Sequence, residues 1–272
     1  MNRYEKMFAR LAAEQSVAFV PFTVLGFPDL VRSEAWIESM IAAGAAGLEL
    51  GIPFSDPLAD GPTIQRAMAA ALEAGVSPDD CLQLVGRIRQ RHPELPIGLL
   101  LYANLVWARG PARFFDACAQ SGVDSVLIAD VPLDESDEFL QKARNAGVGQ
   151  VFLCPPNIDE RRLKLLAERG FGYTYLLSRA GVTGSEVAAG SPVAAIVGRL
   201  RELNAPPPLL GFGISRPEQV TAAAQEGAAG VICGSKIIEL MLAEPNDREA
   251  VASRLSEFVR SMVAASAGAT GR

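Results

Sequence analysis

The stretch Ser121-Gly122-Val123-Asp124-Ser125-Val126-Leu127-Ile128 joins a glycine to a short apolar segment, and this pattern recurs along the chain. Glycine at such a place takes the left-handed backbone conformation that ends a helix, because it has no Cβ to clash. The apolar segment that follows is nearly continuous, which is typical of parallel strands buried on both faces. The same pattern occurs at residues 43–51, 146–153, 169–177 and 226–233.

Three further apolar segments, at residues 18–25, 97–102 and 209–213, bring the number of expected strands to eight. The 272 residues allow about 34 residues for each strand with its loop and crossover helix. We therefore predict an α/β fold, a single (β/α)8 TIM barrel over residues 1–272, with an extra N-terminal helix within residues 1–14. An open doubly wound sheet is the alternative, although no GxGxxG motif opens the first unit. We expect residues 264–272 to form a frayed tail.

The composition excludes several classes of function. Lys and Arg number 25 against 31 Asp and Glu, and the net charge of −6 without a basic stripe argues against a nucleic-acid partner. The longest run without charged residues, 95–108, is 14 residues, short of the ~18 that a membrane helix needs. One histidine and four widely spaced cysteines do not give the spacing of a metal-binding cluster, so we predict no metal site. Free thiols and the absence of a signal-type apolar segment at the start indicate the cytoplasm.

Active sites in this fold lie at the carboxyl ends of the strands and on the loops that follow, and several carboxylates occur at these positions of the sequence. Glu49 lies within the apolar segment Leu48-Glu49-Leu50, and a buried unpaired charge is costly, so this residue is either paired or functional. Burial would raise its pKa and let it transfer protons near neutral pH. Asp56 and Asp60 lie on the loop after it, where a surface turn with solvated aspartates is the alternative.

Glycine-rich segments follow the last three expected strands, at residues 177–184, 211–215 and 233–236. Glycine lets the backbone approach a phosphate closely, and the free N–H groups of a helix N-terminus bind anions. Apolar residues near other strand ends could line a pocket or could be plain core. The residues alone therefore predict a barrel enzyme that acts on a small phosphorylated compound with an apolar part. It would use acid–base chemistry by carboxylates, without a metal.

The stretch 48–65, LELGIPFSDPLADGPTIQ, resembles the signature of the tryptophan synthase α subunit family. The resemblance runs nearly end to end and includes residues 19–22, 98–105, 129–132, 173–179, 181–184 and 211–215. It implies the retro-aldol cleavage of indole-3-glycerol phosphate to indole and glyceraldehyde 3-phosphate in tryptophan biosynthesis, a lyase activity. By the same resemblance, Glu49 is the general acid and base, and Asp60 is the carboxylate that accepts the indole N–H.

The resemblance also implies the residues that bind the substrate. The indole ring would be surrounded by Phe22, Ile64, Leu100, Leu127, Ala129, Phe212 and Ile232, and Tyr102 and Tyr175 would add polar tips to the pocket. Backbone N–H groups of Gly184, Gly213, Gly234 and Ser235 would hold the phosphate. Residues 179–187 would form a lid whose Thr183 contacts Asp60 when the lid is closed.

The partner implied by the resemblance is a tryptophan synthase β subunit in an αββα assembly. The β subunit would carry pyridoxal phosphate, and the chain itself would need no cofactor. Pro53, Asp56 and Asn104 fall where the family docks on its partner. A stand-alone indole-producing lyase and a catalytically silent activator of a β subunit remain alternatives. So does another phosphate-binding barrel, although a metal-dependent epimerase would need more histidines than the single His92.

Overall fold

Nine parallel strands form a nearly closed barrel in the computed structural model of the chain, which describes residues 1–177 and 192–267. Neighbouring strands follow the order β5-β4-β3-β2-β1-β9-β8-β7-β6. The strands are β1 (Ala18–Val24), β2 (Leu48–Gly51), β3 (Ile97–Leu101), β4 (Ser125–Ile128), β5 (Gly149–Gln150), β6 (Phe152–Cys154), β7 (Thr174–Leu177), β8 (Pro208–Gly211) and β9 (Gly230–Cys233).

The predicted eight-stranded barrel is confirmed, and the ninth strand arises where the expected fifth strand is interrupted. Strand β5 pairs only with β4, strand β6 pairs only with β7, and Val151 joins the two. The N–H of Val151 still bonds to the carbonyl oxygen of Val126, 3.0 Å away, so the chain stays beside β4 through this residue. Strands β5 and β6 are thus two parts of one barrel strand that changes its partner midway.

Helices cover the outside of the barrel, and one precedes it. They are α1 (Arg3–Ala13), α2 (Leu30–Ala42), α3 (Pro62–Glu73), α4 (Pro78–Arg91), α5 (Ala103–Arg109), α6 (Pro111–Gln120), α7 (Asp137–Ala146), α8 (Glu160–Arg169), α9 (Pro192–Glu202), α10 (Pro217–Gln225), α11 (Ser235–Ala243) and α12 (Arg248–Ser266). The expected N-terminal helix is α1. The Asn2 side chain accepts a hydrogen bond from the backbone N–H of Glu5. In return, the Glu5 carboxylate accepts one from the backbone N–H of Asn2. These two bonds satisfy backbone N–H groups that have no acceptor within the helix.

The predicted frayed tail is wrong for its first residues. Helix α12 continues to Ser266, whose side chain is buried, and Ala267 forms an antiparallel bridge with Ser16. Apolar residues spaced along one face, Val251, Leu255, Val259 and Met262, hold this long helix against α2 and α10. Residues 268–272 lie outside the described residues.

Three expected strands end earlier than the sequence pattern suggested, and the first of them, β1, stops one residue early at Val24. Tyr102 leaves β3 and precedes α5, and β8 stops at Gly211. Phe212 and Gly213 have φ angles of +68° and +77°, which turn the backbone out of the strand conformation. Within the described ranges, no helix is both long and apolar enough to span a membrane.

Strand register fixes which side chains meet inside the barrel. Residues paired across β1, β2, β3 and β4 form one row, Phe22, Glu49, Gly98 and Ser125. The next row toward the carboxyl ends is Val24, Gly51, Leu100 and Leu127. We call the end of the barrel at the carboxyl ends of the strands the upper end and the opposite one the lower end.

Candidate active site

Glu49 lies inside the barrel on β2, where the register places it between Phe22 and Gly98. Its side chain is only 1% exposed. The Tyr173 hydroxyl donates to Glu49 Oε1 at 2.6 Å, and the other oxygen, Oε2, is buried without a hydrogen-bond partner among the residues described. The hydrogen bond from Tyr173 therefore fixes one oxygen of the carboxyl group, and the other oxygen is available to exchange a proton with a substrate.

The surroundings of Glu49 set its pKa near neutrality. Burial has the largest influence, because it disfavours the charged form and raises the pKa. The hydrogen bond from Tyr173 lowers the pKa, the negative charge of Asp60 raises it, and the net pKa is about 7. A carboxyl group with such a pKa can both donate and accept a proton at neutral pH.

Asp60 lies on the loop between β2 and α3. The Tyr102 hydroxyl donates to Asp60 Oδ2 at 2.6 Å and accepts from the backbone N–H of Ala59 at 3.1 Å. The Phe54 ring stacks on the Tyr102 ring with 5.2 Å between centroids. Burial raises the pKa of Asp60, and the bond from Tyr102 lowers it. Tyr102 thus ties this loop to the end of β3 and orients the second carboxylate.

Apolar side chains surround the upper interior at the positions that the sequence indicated. Phe22, Leu127, Ile232 and Tyr175 are buried, whereas Ile64, Leu100 and Ala129 are half-buried. Phe212 is 45% exposed and meets the Tyr175 ring edge-on, with 6.1 Å between centroids. Its positive φ turns it away from the strand, so it covers the opening rather than the buried wall.

Two glycines make room for the Phe22 ring. A Cβ atom added to Gly51 would lie 2.9 Å from Phe22 Cζ, and one added to Gly234 would lie 3.1 Å from Phe22 Cδ1. Contacts this short require the ring to move. The absence of side chains at Gly51 and Gly234 therefore fixes where the Phe22 ring lies in the pocket.

Three of the expected phosphate-binding amides, those of Gly213, Gly234 and Ser235, follow the carboxyl ends of β8 and β9. Gly234 precedes α11, and Ser235 is its first residue, so the first N–H groups of this helix have no acceptor within the helix. Gly213 follows β8 with a positive φ, and its carbonyl oxygen accepts from Gln219 Nε2 at 2.9 Å, which fixes this turn. Such amides can bind an anion. Thr183 and Gly184, with the whole expected lid 179–187, lie outside the described residues.

The three expected docking residues differ in exposure. Asp56 is exposed on the loop after β2 and Asn104 is exposed in the first turn of α5, but Pro53 is buried. A direct contact of Pro53 with a partner does not fit this burial, because its side chain already packs within the chain. Asp130, on the segment after β4, accepts at 2.8 Å from the backbone N–H of Ala103 at the start of α5.

Sequence reasoning missed Tyr173, whose hydroxyl is the one hydrogen-bond donor to the Glu49 side chain among the described residues. A signal was present in the sequence. Side chains alternate along a strand, so Tyr173 faces the same side as Tyr175, which was selected. The alternation would have added Tyr173 to the candidate site.

A family model described as "Tryptophan synthase alpha chain" matches residues 8–267. The chain belongs to the tryptophan synthase alpha chain family. The tryptophan synthase alpha chain of Escherichia fergusonii is 54% identical over 265 residues, which are 97% of this chain and 99% of that one.

Solved structures of the family agree with this assignment. A tryptophan synthase alpha chain from Legionella pneumophila is 28% identical, covers 97% of both chains and superposes with a TM-score of 0.86. A tryptophan synthase complex from Pyrococcus furiosus contains a chain that is 30% identical, with a TM-score of 0.80, over 92% of this chain and 98% of that one.

Membership of the tryptophan synthase alpha chain family establishes the reaction class. The alpha subunit is a lyase that cleaves indole-3-glycerol phosphate in tryptophan biosynthesis. It carries no cofactor of its own, and its partner is the β subunit, which holds pyridoxal phosphate. These points confirm what the resemblance implied about activity, cofactor and partner.

Proposed function

We propose that Glu49 and Asp60 divide the cleavage of indole-3-glycerol phosphate between them. Glu49, protonated at the start, donates its proton to the indole ring carbon that bears the glycerol side chain. The carbon–carbon bond then breaks as Glu49 takes the proton of the adjacent glycerol hydroxyl, so that indole and glyceraldehyde 3-phosphate leave. Glu49 ends protonated, and no proton is gained or lost overall.

One observation supports this role most strongly. Glu49 Oε2 is buried, has no hydrogen-bond partner among the described residues and belongs to a carboxyl group with a pKa of about 7. A buried polar atom without a partner is costly, so its retention favours a functional reason over a structural one. A salt-bridged structural glutamate, the alternative from sequence, would have a cation beside it, and Tyr173 provides only a hydroxyl.

Asp60 stabilises the charge that appears during the reaction. Protonation of the ring carbon makes the indole cationic, and a carboxylate that accepts the indole N–H stabilises that cation more than it stabilises the neutral substrate. The fixed position of Asp60 Oδ2, 2.6 Å from the Tyr102 hydroxyl, supports this role because it leaves Oδ1 to meet the ring.

The rest of the substrate would be held by the neighbouring surfaces. The indole ring packs against Phe22, Leu100, Leu127 and Ile232, and Tyr175 with Phe212 closes the opening over it. The amides of Gly213, Gly234 and Ser235, with Gly184 of the lid, receive the phosphate. The helix N-terminus at Ser235 supports this assignment, since the α11 dipole favours an anion there.

Assembly and location complete the proposal. An αββα assembly would use the exposed Asp56 and Asn104 at the upper end, while Pro53 would shape the loop that carries Asp56. We also propose that residues 1–272 act as one domain in the cytoplasm. The four buried cysteines without disulfides suit a reducing compartment.

The test is an assay of indole release from indole-3-glycerol phosphate, with and without the β subunit. Glu49→Gln removes the proton donor, and we expect kcat to fall by at least about 10³-fold while binding of a glycerol-phosphate analogue is kept. Asp60→Asn should lower kcat by about 10²-fold. The control is Glu73→Gln, an exposed carboxylate at the C-terminal end of α3, the end opposite to the one that follows Asp60, and it should leave the rate unchanged.

The outcomes separate the alternatives. Normal turnover by Glu49→Gln would remove this residue from the mechanism. A change in KM alone for Asp60→Asn would make Asp60 a binding residue. A wild-type chain that releases no indole even with the β subunit would be a silent activator, and one that needs no β subunit for full rate would be a stand-alone lyase.

A further inference from the structure

The lower interior of the barrel, below Glu49, contains two aromatic rings that do not belong to its strands. Gly98 on β3 and Gly149 on β5 contribute no side chain there. A Cβ added to Gly149 would lie 1.8 Å from the ring of Phe171, which comes from the loop before β7. A second ring, that of Tyr4, enters this space from α1. The packing beneath the catalytic carboxyl therefore depends on the N-terminal helix.

Tyr4 is buried and touches the residues that surround Glu49. Its hydroxyl lies 2.7 Å from Ser125 Oγ, and its ring centroid lies 5.5 Å from that of Tyr173 at an angle of 56°. Gly172, directly before Tyr173, has a φ of +72°, and a Cβ there would come within 2.6 Å of the Tyr4 ring. The backbone before β7 thus lies directly on the face of Tyr4.

Three hydroxyl groups converge beside Gly98, the residue that pairs in register with Glu49. A Cβ at Gly98 would lie 3.0 Å from Ser125 Oγ, 3.1 Å from Tyr4 Oη and 3.6 Å from Tyr173 Oη. The hydroxyl of Tyr173 is the one that donates to Glu49. The position of that donor is consequently limited by Tyr4 on one side and by Gly98 below.

Salt bridges and hydrogen bonds hold α1 on both sides of Tyr4. Arg3 Nη1 bonds to Asp124 Oδ1 at 2.7 Å and Arg3 Nε bonds to the carbonyl oxygen of Pro93 at 2.6 Å. Lys6 Nζ lies 2.6 Å from Glu94 Oε2. Although the Lys6 pair is exposed and weak, the Arg3 contacts fix the first turn of the helix against the barrel. Tyr4 is therefore held in a defined orientation.

We propose that Tyr4 is a positioning residue for the cleavage reaction, because its ring closes the lower end of the barrel to water and holds Tyr173 in place to bond Glu49. This inference rests on the proposed role of Glu49. Without the Tyr4 ring, Tyr173 can tilt away and water can reach the carboxyl group from below. Hydration of the charged form then lowers the pKa of Glu49 by more than the loss of the Tyr173 bond raises it, because burial has the larger influence, and less of the carboxyl group is protonated at neutral pH.

Four ionisable groups of the described residues act on Glu49, namely those of Asp60, Tyr173, Tyr4 and Tyr175. Asp60, on the loop above, raises its pKa by its charge, and Tyr173 lowers it by the hydrogen bond. Tyr4 and Tyr175 also interact electrostatically with Glu49, and burial raises the pKa of both phenols, so they stay neutral near pH 7. A shift of the Glu49 ionisation in a Tyr4 variant therefore reports on hydration and on Tyr173, not on a lost charge.

The experiment is the pH dependence of kcat and kcat/KM for indole release, measured on the full chain with its β subunit. For Tyr4→Ala we expect kcat to fall by about tenfold, with KM changed less than about threefold. We expect the midpoint of the ionisation near pH 7 to move down by about one unit. Tyr4→Phe keeps the ring and loses only the bond to Ser125, so it should keep the wild-type midpoint. Leu11→Ala is the matched control, since Leu11 is a buried residue of the same helix further from Tyr173.

The same midpoint and kcat in Tyr4→Ala as in Leu11→Ala would overturn the proposal, because both variants loosen α1. If Tyr4→Ala does not fold, Tyr4→Leu, which fills part of the volume without a ring, decides by the same two readouts. A wild-type profile without an ionisation between about pH 6 and 8 would instead overturn the role of Glu49, and the role of Tyr4 with it.

Discussion

Two buried carboxylates at opposite ends of the barrel have opposite surroundings. At the lower end, Asp124 is 9% exposed and accepts from Arg3 at 2.7 Å, from Arg89 at 2.6 Å and from the backbone N–H of Ile97 at 2.8 Å. Toward the upper end, Glu49 accepts a single hydroxyl hydrogen bond and has one oxygen without a partner among the described residues. The first carboxylate is fully paired and the second is only half satisfied.

The difference shows how one fold uses the same side-chain chemistry in two ways. Arg89 also donates to the carbonyl oxygens of Gly122, His92 and Leu95, so its pair with Asp124 joins α4 to the starts of β3 and β4. Removing such a partner leaves a buried charge uncompensated. Glu49 instead keeps one oxygen without a partner among the described residues, at the expense of stability, as expected for a group that must exchange a proton.

The largest expected effect is on the lower carboxylate. Asp124→Asn removes the negative charge that both arginines face, and we expect the free energy of unfolding to fall by about 3 kcal/mol. Urea denaturation at pH 7 measures this loss. Asp116→Asn, an exposed carboxylate on α6, is the control and should change stability little. A loss no greater than that of the control would mean that the arginines find other acceptors.

Removing the charge of Glu49 should increase the free energy of unfolding, which is the opposite of the effect at Asp124. The pKa of Glu49 is about 7 in the folded chain against 4.5 for an unperturbed group, so its ionisation costs about 3 kcal/mol of stability above pH 7. Glu49→Gln avoids this cost but buries an amide N–H without a partner, worth about 1 kcal/mol. We expect the variant to be about 2 kcal/mol more stable than the wild type at pH 8.

The pH dependence of this gain follows from the sign of the shift. Between the unfolded pKa of 4.5 and the folded pKa of about 7, only the folded state holds the proton, so wild-type stability falls as pH rises through this window. The advantage of Glu49→Gln should therefore disappear below pH 5. Equal stability of the two proteins at pH 8 would show that Glu49 is not forced to ionise in an unfavourable site.

Asp60 is intermediate in burial between the exposed carboxylates and Glu49, and one of its oxygens accepts a hydrogen bond from the Tyr102 hydroxyl. Tyr102→Phe removes that bond to a charged group, worth about 1.5 kcal/mol, and we expect kcat to fall by about tenfold. The matching experiment is a double-mutant cycle of indole release. Tyr102→Phe should have little further effect once Asp60→Asn is present. Additive losses would mean that Tyr102 acts on the reaction by another route.

Much of the fold could be predicted from local sequence. A glycine that ends a helix and a short apolar strand depend on neighbouring residues only, so eight barrel strands and the N-terminal helix followed from the chain itself. The interruption at Val151 could not, because it depends on which strand each half pairs with. The helical continuation to Ser266 was missed because small residues give no apolar pattern until their packing is known.

The candidate site was also predictable only where its residues have a local signal in the sequence. Glu49 could be selected because a carboxylate within an apolar strand is conspicuous, and Asp60 through its loop and the family resemblance. Tyr173 and Tyr4 act through contacts between segments more than 100 residues apart, at 124 and 121 residues. Such contacts have no local signal, although the alternation with Tyr175 indicated which way Tyr173 faces.

The ionisation of Glu49 itself tests the account most directly. Difference infrared spectroscopy of the wild type against Glu49→Gln isolates the protonated carboxyl absorption of this residue, which can be followed as the pH is raised. We predict a titration midpoint near 7, in keeping with the pKa of about 7 that burial imposes. A midpoint below about pH 5, the range of an ordinary solvated glutamate, would contradict the account.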